Sequence, residues 1–289
     1  VPKKIIFVAD AFLEDINGGA ELTTEALIES SPHQISKVYC RQLNKDYITN
    51  NKDCFWIFGN FASLTDEVKT HFIKNENYSV IEYDYKYCKY RSDDLHIKAN
   101  GVCDCNGSLL GKLNSLFLFK SKCVWWMSSG QEQHYINNFP FLDKVNSHVL
   151  SSIFDNSTIK YFEDFSKTTV KKDNKWIVLG SKSWIKNLEG CKRYAEINDM
   201  EYDIVWGLKY EDLLKKISRS KGLLFLPLGK DTCPRITIEA KLLNCELILN
   251  NNVQHKSESW FKDKKSILNH MKERKSFFWK EISNYVHSF

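Results

Sequence analysis

Proline (5), glycine (12) and methionine (3) are scarce in the 289 residues, while 43% are apolar and 13% aromatic. That balance excludes a collagen-like, disordered or acidic solvating chain. No apolar run reaches the roughly 18–20 residues that cross a bilayer, because Lys120 and Lys122 interrupt the most apolar stretch, 116–127. A transmembrane segment is therefore not expected. Neither an internal repeat nor a low-complexity tract occurs, and the dinucleotide fingerprint G-x-G-x-x-G is missing, which argues against nicotinamide or flavin chemistry. A large excess of one charge is missing too: 41 Lys+Arg against 36 Asp+Glu give 41 − 36 = +5, with a pI near 8.6. Such mild basicity suits phosphate-bearing ligands but falls short of a dedicated nucleic-acid binder. Nine scattered cysteines, an odd number in a chain large enough to fold without staples, argue against a disulfide scaffold. A reducing cytoplasm is the expected setting, the host's if the chain is viral. Val1-Pro2-Lys3-Lys4 ahead of Ile5-Ile6-Phe7-Val8 reads as the approach to a buried first strand and not as a signal peptide, since Asp10 and Glu14 end the apolar stretch and no small-residue cleavage site follows.

What is present is a rhythm of short apolar runs alternating with amphipathic stretches, the pattern of strands and helices around parallel sheets. Strands are expected near 4–9, 35–40, 54–59, 80–83, 122–127 and 148–153, then near 175–179, 202–206, 222–227 and 246–250. Helical periodicity lies at 188–197, 210–218 and 236–243. The fold class is α/β, with two doubly wound, Rossmann-like parallel-sheet domains in series. The boundary is expected in the polar stretch 155–174, giving domains at 1–160 and 161–275 and a C-terminal helix at 276–289 that crosses back. The charged tail 262–289 reads as a pair of amphipathic helices.

Three segments can carry chemistry. Asn17-Gly18-Gly19-Ala20-Glu21 follows the first strand and opens a helix, and paired glycines let backbone amides approach an anion at a helix N-terminus. A plain tight turn fits that segment equally well. The strand ending Leu226-Pro227 leads through Gly229 and Lys230 into Asp231-Thr232-Cys233-Pro234-Arg235-Ile236-Thr237-Ile238-Glu239-Ala240, where Pro234 suits a first helical turn whose amides face the loop. Arg235 adds a forked cation, and Asp231 and Glu239 stand eight positions apart. Finally, Val178-Leu179-Gly180-Ser181-Lys182-Ser183-Trp184-Ile185-Lys186 places Lys186 beyond a strand end, where it can neutralise a leaving diphosphate.

Together these segments resemble the GT-B glycosyltransferases, specifically the retaining glycosyltransferase family 4. Its N-terminal Gly-Gly loop is matched by Gly18-Gly19, its G-R-x-x-x-x-K-G segment by Gly180 to Lys186, its G-x-x-x-x-x-x-L stretch by Gly207 to Leu214, and its E-x7-E by Asp231 and Glu239-Ala240. The resemblance is strongest over 176–250. It implies two Rossmann-like domains facing across a cleft, and transfer of a sugar from a UDP- or GDP-linked donor to a hydroxyl acceptor with retention. By this resemblance Asp231 and Lys186 are the catalytic pair, Asp231 near the donor-sugar hydroxyls and Glu239 on the ribose. Gly18, Gly19, Lys182, Lys186, Gly207, Cys233, Arg235 and Thr237 complete the donor site, with no metal required for catalysis. Two departures stand out: the family arginine after Gly180 is Ser181, with Lys182 or Arg235 as substitutes, and the first acid is Asp231 in place of Glu. The N-domain histidine of the family has no counterpart, and Trp125-Trp126-Met127-Ser128-Ser129-Gly130-Gln131 stands in its place. Ser128, Ser129 and Gln131 are candidates to line the acceptor cleft, a structural turn being the competing reading. The acceptor class is a saccharide or lipid-linked glycan, with hydroxymethylated DNA as the second option. A non-catalytic nucleotide-sugar-binding protein of the same fold, or a sugar-nucleotide epimerase, is the alternative function.

Independently of that resemblance, Cys88, His96, Cys103 and Cys105 bring three thiols and an imidazole into 18 residues, a donor set that suits a closed, structural zinc site. Scattered cysteines of a reduced protein are the competing reading. Around them Tyr83, Tyr85, Lys86, Tyr87, Lys89, Tyr90, Arg91 and Lys98 interleave aromatic and basic side chains, a mixture that can stack on bases and pair with phosphates, or form a half-buried strand edge.

Overall fold

In the computed structural model, which describes residues 4–75 and 77–287, the chain forms two compact units, Val1–Asp155 with Met271–Phe289, and Asn156–His270. Val1, Pro2 and Lys3 of the expected strand approach, and the last two residues of the expected tail helix, lie outside the described residues. The observed divisions fall at 155/156 and 270/271, against the expected 160/161 and 275/276.

The first unit holds a parallel sheet of β1 (Ile5–Ala9), β2 (Ile35–Tyr39), β3 (Phe55–Phe58), β4 (Tyr78–Glu82), β5 (Val124–Trp126) and β6 (Ser147–Val149), in the order β2-β1-β3-β4-β5-β6. Its helices are α1 (Gly19–Glu29), α2 (Lys45–Asn50), α3 (Asp66–Asn75), α4 (Asp93–Asn100), α5 (Leu109–Phe119) and α6 (Ser129–Asn138). β1, β3 and β4 are buried along their whole length, as expected for parallel strands covered on both faces, and this explains why they read as unbroken apolar runs. β6 is shorter than expected because Ser151 takes a left-handed backbone (φ 64°), which turns the chain out of the sheet.

The second unit holds β7 (Trp176–Leu179), β8 (Tyr202–Val205), β9 (Gly222–Phe225) and β10 (Glu246–Leu249), all parallel, in the order β10-β9-β7-β8. α7 (Asn156–Phe165), α8 (Leu188–Ile197), α9 (Tyr210–Arg219) and α10 (Arg235–Leu242) surround it. α7 occupies the stretch in which apolar periodicity was expected to fade: Thr158, Ile159, Phe162 and Phe165 are buried at helical spacing beneath a polar outer face.

The tail also departs from expectation. It forms one 24-residue helix, α11 (Lys264–His287), and not a pair. Neither glycine nor proline interrupts it, and Ile267, Met271, Phe278, Ile282 and Val286 form one buried stripe. From Met271 onward it belongs to the first unit, where Phe278 packs on Trp125 with ring centroids 4.7 Å apart and Trp279 Nε1 donates to the Leu27 carbonyl at 2.9 Å.

Candidate functional site

In the second sheet the chain runs from β7 to β8 on one side and then places β9 on the other, so β7 and β9 flank the topological switch point. Ligands of open α/β sheets bind beyond the carboxyl ends of the strands at such points. The two loops leaving those ends are stitched together. Leu228 donates its amide to the Ile185 carbonyl at 3.0 Å, and Asn187 Nδ2 donates to the Leu226 carbonyl at 2.7 Å. Asn187 sits in the left-handed region (φ 53°), and its side-chain oxygen caps α8 by accepting from Gly190.

Lys186, from the first loop, donates to Asp231 Oδ2 of the second at 2.7 Å, and its ammonium lies 5.2 Å from the centre of the Phe225 ring. The pair is only partly covered, with Lys186 27% and Asp231 13% exposed, so both reach solvent at the loop mouth. The Asp231 backbone is fixed by a bridge to Val253, donating to the Asn252 carbonyl and accepting from Gln254. Three residues later Pro234 opens α10, whose first-turn amides point out of the helix toward this loop.

Along α10, Glu239 is almost fully buried. Its Oε1 accepts from the Tyr210 hydroxyl at 2.9 Å and lies 3.6 Å from Arg235 Nε. Burial holds its carboxyl above the ordinary glutamate range, against the pull of Arg235 and the Tyr210 hydrogen bond. Burial pushes the Tyr210 hydroxyl up as well. Arg235 is thus turned along the flank of α10 toward Glu239. Thr237 is buried and faces the body of the unit. Its hydroxyl donates to the Pro234 carbonyl at 2.9 Å and lies 3.0 Å from His255 Nε2. With that proton committed, His255 donates through Nε2–H, which both the neutral and the charged ring can do. Burial depresses His255 to about 3, and this keeps the ring neutral. Thr237 and His255 together hold the entrance of α10. Cys233 is buried in the loop ahead of Pro234. Lys182 is exposed at the loop mouth. Gly207, at φ 69°, turns the chain after β8 between exposed Trp206 and Leu208.

The remaining expected residues lie in the first unit. Gly18 caps and Gly19 begins α1, and a side chain at position 18 would require the carboxylate end of Glu21 to shift. Ser128 is fully buried and caps α6 by accepting from the Gln131 amide. Gln131 is spent on framework: Nε2 donates to the Glu82 and Asp84 carbonyls at 2.9 and 2.8 Å, and Oε1 accepts from the Met127 amide at 2.7 Å. Those two side chains clasp loops and leave no surface for an acceptor; Ser129 is exposed at the start of α6. The aromatic and basic strip is divided: Lys89, Tyr90, Arg91 and Lys98 are exposed, and the other half forms core. Tyr83, Tyr85 and Tyr87 are buried, and Lys86 is buried against Glu82 at 3.0 Å and Asp84 at 3.1 Å.

Sequence reasoning missed the polar edge this strip builds. Arg91 Nε donates to Asp84 at 2.7 Å and its Nη2 to Asn60 at 2.8 Å, while Asp10 accepts from the Ala62 and Ser63 amides. These residues leave the carboxyl ends of β1, β3 and β4, around the switch point of the first sheet. Tyr210 and His255 were missed as well. Their partners lie 29 and 18 positions away, too far for any local pattern to show.

No family model matches the sequence, and no curated protein matches it. Solved structures do. An E. coli trehalose-6-phosphate protein bound with UDP-2-fluoro glucose is similar at TM-score 0.60 and 8% identity, covering 98% of this chain and 96% of its own. The HepE protein of Anabaena, in complex with UDP and glucose, is similar at 0.52 and 11%, covering 99% and 100%. An α-glucosyltransferase in complex with UDP and a 13-mer DNA containing a HMU base is similar at 0.50 and 11%, covering 99% and 100%. The fold is GT-B. In that fold each unit described above is one Rossmann-like half.

Proposed function

We propose that the protein is a glycosyltransferase that moves a sugar from a nucleoside diphosphate donor to a hydroxyl acceptor with retention of configuration. The observation that carries this reading is the Lys186–Asp231 pair, which joins the two switch-point loops at the mouth of α10. The diphosphate lies over the first turn of α10 with Lys186 Nζ beside it, so the charge that develops on the leaving group meets a fixed cation and oriented dipoles. Binding draws Lys186 from Asp231 toward phosphate and frees the carboxylate for the donor-sugar hydroxyls. Glu239 takes the ribose once its carboxylate turns from Tyr210 toward the loop, Gly207 faces the base, and exposed Trp206 offers it an aromatic face. The bond from C1 to the β-phosphate oxygen breaks, a bond from C1 to the acceptor oxygen forms on the same face, and the acceptor proton passes to the departing phosphate. UDP is the favoured nucleotide, because the three similar structures above hold UDP or a UDP-sugar.

The first unit carries the acceptor, with the Arg91–Asp84–Asn60 edge as its polar surface. A saccharide or lipid-linked glycan is the first acceptor reading. A hydroxymethylated base in DNA is the second reading, favoured by the DNA held in one similar structure. The test is release of nucleotide from a panel of UDP- and GDP-sugars, with and without acceptors. Turnover that falls at least about 100-fold in both Lys186→Ala and Asp231→Asn supports the transferase. Tight nucleotide binding without turnover on any donor and acceptor identifies a binding module. DNA as acceptor requires duplex binding that weakens steeply with salt.

A further inference from the structure

We propose that Cys88, His96, Cys103 and Cys105 bind one zinc ion as a closed, four-ligand structural site. Their donor atoms all lie within 4.8 Å of one another. Cys88 Sγ is 3.7 Å from Cys103 Sγ and 3.7 Å from His96 Nδ1, and Cys105 Sγ is 3.3 Å from the same Nδ1. With Zn–S near 2.3 Å and Zn–N near 2.0–2.1 Å, the edges of a tetrahedron are about 3.8 Å between sulfurs and about 3.6 Å between sulfur and nitrogen. The observed spacings are of that size. A disulfide between Cys88 and Cys103 would leave Cys105 and the imidazole with no role. Nor does hydrogen bonding explain the cluster, since Nδ1 can accept one proton yet faces two thiols.

The local backbone is built to deliver these four atoms. Cys88 lies in the loop after β4, and Ser92 caps α4, which carries His96 on its buried side. Gly101 ends α4 in the left-handed region (φ 82°) and returns the chain to Cys103 and Cys105. Gly111 on α5 lets the Cys105 carbonyl lie against the helix, and a side chain there would run into that oxygen. On binding, the three thiols give up their protons and the imidazole ligates as the neutral ring. Four protein ligands leave no open position, so the ion supplies folding energy and no chemistry. It pins the segment between β4 and α5, which also bears Asp84, Lys86 and Arg91 of the polar edge.

The test uses the full chain purified under reducing conditions without chelator. Elemental analysis is expected to find about one zinc per chain, released when the thiols are titrated with an organomercurial. The cobalt-substituted protein is expected to show the intense visible bands of a tetrahedral site together with thiolate charge transfer, a readout that needs no variant. Cys103→Ser lowers zinc occupancy and shifts that spectrum, whereas Cys54→Ser, outside the cluster, leaves both unchanged. The proposal is overturned by substoichiometric zinc after reconstitution, by an octahedral cobalt spectrum, by zinc retained in a Cys88→Ser/Cys103→Ser/Cys105→Ser variant, or by a Cys88–Cys103 disulfide in the reduced preparation. None of these outcomes depends on sugar transfer.

Discussion

A carboxylate and an ammonium 2.7 Å apart and partly open to solvent contribute little to stability, and the value of Lys186 and Asp231 lies in where they stand. Each comes from a separate strand end, and the pair is legible in the sequence only as two isolated residues with suitable neighbours. Glu239 was legible through its spacing from Asp231, but its environment was not, because Tyr210 reaches it from another helix. His255 was not legible at all, yet it makes a clear prediction. Its native pKa, depressed to about 3, lies below the ordinary histidine value of 6.5. Its contribution to stability is therefore complete above 6.5 and is lost as pH falls toward 3, at up to about 1.4 kcal/mol per pH unit. Denaturant titrations at several pH values should show a shallower acid slope for His255→Gln than for the unchanged chain. Equal slopes would mean that the ring does not stay neutral in the folded protein.

At the scale of elements, β1, β3, β4 and β9 were legible because each is a short apolar run with no solvent face to pattern it. Boundaries failed where backbone conformation decided them, as at Ser151. α7 was missed because charged residues on its outer face mask four buried positions. The tail was read as two helices although its stripe runs through Met271, where one unit gives way to the other. Two predictions belong here. Asn187→Ala removes both the α8 cap and the tie to the β9 loop, which should cost about 1–2 kcal/mol. It should also raise the donor KM more than it lowers kcat, as steady-state kinetics can separate. Phe278→Ala opens a hole against Trp125 and should cost about 3–5 kcal/mol. Chemical denaturation checks this, and a loss below about 1 kcal/mol would show that α11 does not bury that ring.

For the molecule as a whole, the similar structures establish architecture at 8–11% identity, and the chemistry must be argued from this chain's own residues. Both sheets reverse strand order beside their first strand, and both collect polar residues there. The second collects a cation, two acids and a helix start, the set a sugar diphosphate needs. The first collects Arg91, Asp84, Asn60 and Asp10. Motifs revealed the second set because Asp231, Pro234, Arg235 and Glu239 share one short stretch and Lys186 ends another, while the first assembles only when the chain after β4 folds back across the strand ends. The central claim is that the second unit holds the nucleotide at that set. Amide hydrogen exchange with and without saturating UDP tests it most directly. Exchange should slow across 180–187, the Gly207 turn and 227–239. Unchanged exchange in those segments while UDP is bound would contradict the account.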